Sequence, residues 1–157
     1  MEFIIFLSTL DKEILDLVIK ANYVVEENKI ECLLNKEIKG LHNFEEKKII
    51  ICTENAKRKT NYRNKKQLLS KDNFKTERAI RKALRHEVTH VIQGCNNNKT
   101  IGDIKKLESK LHQSKRKALE FSTSNFSGNY AKEVEAYVLE DKPKKVKRMI
   151  KIGRAHV

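Results

Sequence analysis

Apolar residues recur at helical spacing in several stretches of this chain and crowd into short runs in others. In residues 11–20, Ile14, Leu15, Val18 and Ile19 fall on one helical face and predict a first helix. From 73 to 94 the period is carried by Ile80, Ala83, Leu84, Val88, Val91 and Ile92, with Asn73 as N-cap and Glu77 in the first turn. Gly94 and the Asn96 to Asn98 run supply its stop. A third helix is expected over 100–121, where Thr100 and Asp103 resemble a capping box and Ile104, Leu107, Leu111 and Ala118 share a side. A fourth covers about 130–140, and Pro143 opens a short last helix.

Residues 30–38 and 47–53 are richer in short apolar runs, and Ile49 to Cys52, bounded by charges, has the character of a buried strand. Residues 1–10 suit a strand or a helix start, and the polar stretch 54–72 shows no period and predicts a solvated loop. The pattern is that of an α+β fold in one domain over 1–151: a small N-terminal β-sheet, then a mostly helical half. Ile152 to Val157 matches the translation of a common sequencing adapter, so 152–157 is set aside as a non-native tail and His156 with it.

Composition changes this picture in three ways. With no Trp and 6% aromatic residues, the core must rest on Ile, Leu and Val. The formal charge of +13 favours acidic partners, nucleic acid among them, but the Lys are spread along the chain with abundant Asn and Ile, as AT-rich coding would produce. Cys32, Cys52 and Cys95 are odd in number and form no C-x-x-C pair, which argues against a disulfide framework and a thiolate zinc site and favours a reducing cytoplasm. No apolar run approaches the roughly 18 residues that span a bilayer.

The chemistry concentrates at His86-Glu87-Val88-Thr89-His90. Positions four apart in a helix lie one above the other, so His86 and His90 can turn imidazole nitrogens toward one metal ion, with Glu87 beside them as general base for a water held there. Catalytic zinc takes three protein ligands. The third has its best source on the fourth helix, where Tyr130, Val134, Tyr137 and Val138 mark the buried face and Glu133 and Glu135 flank it on opposite sides. Helix geometry leaves that choice open, with Glu140 and Asp141 as further acids nearby.

His86-Glu87-x-x-His90 followed 43 residues later by Glu133-x-x-Ala136 resembles the gluzincin metallopeptidases. The resemblance implies that Glu133 is the third zinc ligand, with Glu135 as the alternative, and that Ala136 lets the two helices approach closely. It implies a zincin-like fold, Zn2+ as cofactor, and hydrolysis of a peptide or protein substrate with Glu87 as base. In zincins an edge strand lies over the metal-binding helix and pairs with extended substrate; residues 49–53 are the expected edge. Many gluzincins place an Asp after the alanine to support a ligand histidine. Tyr137 stands there in this chain, so Glu140 or Asp141 must substitute. The fuller pattern, LRHEVTHVIQ at 84–93 and EVEAYVLED at 133–141, resembles short metallopeptidase-like proteins of marine cyanobacteria and their phages over residues 79–148. His42 is expected in a loop, Cys95 buried, His112 solvated, and Tyr130 and Tyr137 in the core.

Overall fold

In the computed structural model, which describes residues 1–63, 73–125 and 129–154, the chain starts with a 3-10 turn, Glu2–Phe6, that buries Phe3 and Phe6. Helix α1, Thr9–Lys20, then begins at a reciprocal cap: the Asp11 N–H donates to the Ser8 hydroxyl, and the Ser8 N–H and hydroxyl donate to the Asp11 carboxylate. Strand β1 (Val24–Glu27), helix α2 (Ile30–Leu34), strands β2 (Gly40–Asn43) and β3 (Lys48–Ile51) and helix α3 (Thr53–Lys59) follow. The second half is helical: α4 (Phe74–Cys95), α5 (Ile104–Lys110), α6 (Gln113–Asn125), α7 (Tyr130–Leu139) and α8 (Pro143–Arg154). This is an α+β fold with a small sheet ahead of a helical half.

The sheet has the order β1-β3-β2, with β3 parallel to β1 and antiparallel to β2. Ile49 and Ile51 belong to the main core, whereas Ile50 and Cys52 join Cys32 in a smaller cluster on the other face. Both faces of β3 are therefore covered, which explains an unbroken apolar run where a half-exposed strand would alternate. Helix α4 crosses the middle of the molecule. Its Ile80, Leu84, Val88, Val91 and Ile92 sit in the main core with Phe3, Val18, Val146 and Ile150. Burying each such side chain contributes about 1.5–3 kcal/mol, enough together to hold rigid the helix that carries the histidines. A separate cluster of Leu107, Leu111, Leu119, Val134 and Val138 ties α5 and α6 to α7.

Several expectations need correction. Residues 30–38 hold α2 rather than a strand: Leu33 and Leu34 are 67% and 80% exposed and only Cys32 of this helix is buried, so the run lacks the face a strand would bury. Residues 49–53 are not an edge, because β3 lies between its neighbours; the free edge beside α4 is β2. The polar stretch after 53 opens with α3, whose Ala56 packs in the main core, while 64–72 lie outside the described residues. The helix expected over 100–121 is two, because Asp103 itself caps α5 through the Lys105 and Lys106 N–H groups and the chain turns at Leu111. The last helix is longer than its polar sequence suggested, being anchored by Val146, Met149 and Ile150. His156 lies outside the described residues.

The expected absence of disulfides is also overturned. Cys32 and Cys52 are joined, with Cα atoms 5.5 Å apart, a pairing that sequence spacing could not show because α2 and the end of β3 meet only in the fold. Beside the bond, the Asn55 amide donates to the carbonyls of Cys32, Asn35 and Ile38 at 2.9–3.2 Å. Bond and amide together pin the segment that leads into β2.

Candidate metal centre

Three of the predicted residues converge. One ligand atom from each of His86, His90 and Glu133 lies within 4.8 Å of the others, so the cluster could hold a metal ion. The Glu133 carboxylate bridges the two rings, with Oε2 3.2 Å from His86 Nε2 and Oε1 3.1 Å from His90 Nε2. The histidines are on α4 and Glu133 is in the first turn of α7, one turn before the fully buried Ala136.

The outer nitrogens of both rings are engaged, and this sets which nitrogen faces the cluster. His86 Nδ1 donates to Glu140 Oε2 at 3.1 Å. His90 Nδ1 donates to Gln93 Oε1 at 2.8 Å, and the Gln93 amide nitrogen in turn donates to the Lys132 carbonyl and to Glu135 Oε1. With that nitrogen committed, the Gln93 oxygen must face His90, and both histidines present Nε2 inward, the arrangement that orients and strengthens metal-ligating histidines. Glu140 is itself placed from afar. Arg85 grips the fully buried Asp11 through two hydrogen bonds of 2.7 and 2.9 Å and donates to the Glu140 carbonyl at 3.1 Å, joining α1, α4 and the end of α7.

The electrostatics follow from this packing. Burial opposes charge on His86, but the Glu133 and Glu140 carboxylates outweigh it and hold the ring well above the ordinary histidine value. Burial likewise pushes Glu133 up, and the two imidazoles overcome it and leave the carboxyl below its usual range. For Glu87 the same two imidazoles do not overcome burial. Its carboxyl is raised, chiefly by burial.

Glu135, the alternative ligand, is elsewhere. It is 1% exposed and accepts from the Ile101 and Gly102 N–H groups and from Gln93, so it holds the loop after α4. Asp141 pairs with Lys82 and Lys115. His112 is exposed and bonded to Ser114, and Tyr130 is 48% exposed rather than in the core. Tyr137 stands edge-on to His86 with ring centres 4.5 Å apart, while its hydroxyl contacts Ser122 at 2.9 Å.

His42, expected in a loop, is on β2, stacked between Tyr23 and His90 with ring centres 5.8 and 6.0 Å away. Burial, with His90 and Lys132 nearby, pushes its ring down to about 3, so it is a neutral imidazole. No sequence signal marked it, since β2 reaches α4 only through the fold. Gln93, by contrast, follows His90 by three residues on one helix and was open to inference. Gly94, near the end of α4, receives Phe44, whose ring a Cβ would meet at 2.4 Å. All three cluster residues and Glu87 open on one cleft of about 790 Å³ between β2, α4, α6 and α7.

The family model for a domain of unknown function, DUF8637, matches residues 3–152. The chain belongs to that family. The match spans every element that builds the cluster, from the 3-10 turn to α8. No curated protein and no solved structure matches the chain. Among the described residues no helix is long and apolar enough to cross a membrane.

Proposed function

We propose that this domain is a zinc-dependent, zincin-like peptidase of the gluzincin type. The observation that carries the reading is the convergence of His86, His90 and Glu133 beside a buried Glu87, all open to a cleft walled by a free strand edge. Two imidazole nitrogens and a carboxylate oxygen, each histidine backed by an outer partner, are a donor set suited to zinc. Three ligands leave a coordination position open, as catalytic rather than structural sites do.

When bound there, zinc would bring the pKa of a water toward about 7 and polarise a carbonyl. The chain's own residues account for the remainder. Glu87, adjacent to His86 on α4 and raised by burial, is placed to take a proton and hand it to a leaving amine. Strand β2 offers backbone groups along its free edge to an extended substrate. Glu140 and Gln93 keep the two rings aimed while this happens.

Cysteine usage pointed to the cytoplasm, but the Cys32–Cys52 bond favours oxidising surroundings. The site is the same in either compartment. The experiment is digestion of a mixed-sequence peptide library by zinc-supplemented protein, followed by mass spectrometry. Cleavage by the wild type that falls by several orders of magnitude in Glu87→Gln supports the reading. Equal cleavage by both proteins, or none by either, rejects it.

A further inference from the structure

Six lysines line the cleft, and most are already answered by the protein. Lys59 pairs with Glu37, Lys82 with Asp141, and Lys115 with Glu140 and Asp141. Lys132 donates to the Asn98 side chain, and Lys117 is exposed. Lys39 differs. It is half-buried on the cleft wall and has no ion pair or side-chain hydrogen bond among the described residues. Burial, with Lys59 and Lys82 close by, outweighs the Glu140 and Glu37 carboxylates, neither of them within ion-pair distance, and pushes its amine below the usual lysine range. A partly desolvated ammonium without a direct ion pair is costly, and the cost is recovered when a ligand brings an anion into contact with it.

Its position gives that anion a place. The Lys39 carbonyl accepts from the Cys52 N–H at 2.9 Å, which fixes the backbone at the start of β2. The next residue, Gly40, lies against Glu87. In an antiparallel pair, alternate residues turn their backbone groups away from the partner, so with Lys39 bonded inward, Gly40 and His42 face the free edge. Lys39 thus stands where an extended chain on β2 would begin, one residue from the acid beside the metal ligands. Lysine abundance alone does not produce this pattern, since three of its neighbours in the same cleft are neutralised.

We propose that the cleft selects acidic peptides and that Lys39 is the specificity residue that receives a substrate carboxylate next to the bond to be cut. This rests on the peptidase reading above. One unpaired cation beside a free strand edge suits a peptide carboxylate better than a nucleic-acid backbone, which needs a row of cations.

The test is binding, so it does not depend on turnover. Zinc-supplemented Glu87→Gln protein is titrated against fluorescein-labelled octapeptides, read by anisotropy at low salt. One peptide carries internal Glu and an amidated C-terminus, one has Gln in place of Glu and a free C-terminal carboxylate, one has Gln and an amidated end, and a single-stranded oligonucleotide is the fourth probe. A carboxylate peptide is expected to bind about tenfold or more tighter than the neutral one, as loss of a hydrogen bond to a charged group predicts. Whichever carboxylate peptide gains shows whether the group comes from a side chain or a chain end. Adding Lys39→Ala removes the gain, Lys39→Arg keeps most of it, and Lys39→Glu reverses it in favour of the neutral peptide, all with unchanged melting temperature. Equal binding of acidic and neutral peptides, a gain that survives Lys39→Ala, absence of peptide binding, or preference for the oligonucleotide overturns the proposal. Absence of cleavage by the wild type, measured separately, would instead reject the peptidase reading.

Discussion

Gly40 on β2 lies against Glu87 on α4 so closely that a Cβ added to the glycine would stand 2.8 Å from the Glu87 Oε1 and 2.9 Å from its Cγ. Strand edge and acid therefore meet through bare backbone. In Gly40→Ala the Glu87 side chain must shift, and displacements of this size in a catalytic group cost on the order of 10²-fold in rate. We expect kcat/KM on a cleaved library peptide to fall by about that factor while zinc content is unchanged, because the displaced side chain, Glu87, is not one of the three ligands. Unaltered turnover would show that Glu87 does not need its present position.

Glu140 and Gln93 act on the metal through the rings they hold. Replacing Glu140 by Gln or Gln93 by Leu should weaken zinc affinity by about 10–100-fold, as removal of such outer partners does elsewhere. Competition against a chromogenic chelator measures this directly. Affinity equal to wild type in both variants would mean that the rings are oriented by packing alone.

Glu135 and Glu133 sit two residues apart and should fail differently. Glu135→Ala strands the Ile101 and Gly102 N–H groups and takes away one of the two acceptors of the Gln93 amide, which should cost about 1.5–3 kcal/mol in denaturant unfolding. Glu133→Ala should leave stability of the metal-free protein far less affected and remove zinc binding. The same stability loss in both would contradict the division of roles.

The two residues also mark how far the sequence could be read. His86, Glu87 and His90 were legible because helical spacing within one segment dictates their geometry. The choice of Glu133 depends on how α7 crosses α4, and only a family pattern suggested it beforehand. The gap in that pattern at Tyr137 pointed to Glu140 or Asp141 without choosing between them, and the fold puts Glu140 on His86. The β2 edge, His42 and Lys39 were hidden because β2 is four residues long, contains a glycine and carries no alternation. The assignment of 49–53 to the edge failed for a physical reason that the residues themselves show: a strand apolar on both faces is a central strand. Cys32 and Cys52 were misjudged by counting, since an odd total does not prevent two of three from pairing.

The Cys32–Cys52 bond closes a separation of 20 residues, which should stabilise the fold by roughly 3 kcal/mol in a chain-entropy estimate. We expect Cys32→Ser, or the wild type in reductant, to lower the melting temperature by several degrees. Asn55→Ala, which removes the donor to three carbonyls in the same segment, should cost about 1–3 kcal/mol. A melting temperature indifferent to reductant would place the two sulfurs as free thiols.

Metal content tests the central claim most directly. Elemental analysis of protein purified without chelators, then of protein dialysed against zinc, should find near-stoichiometric zinc in the wild type and in Glu135→Gln, and next to none in His90→Ala or Glu133→Ala. No bound metal in the wild type after zinc dialysis, or full zinc retained without Glu133, would contradict the account.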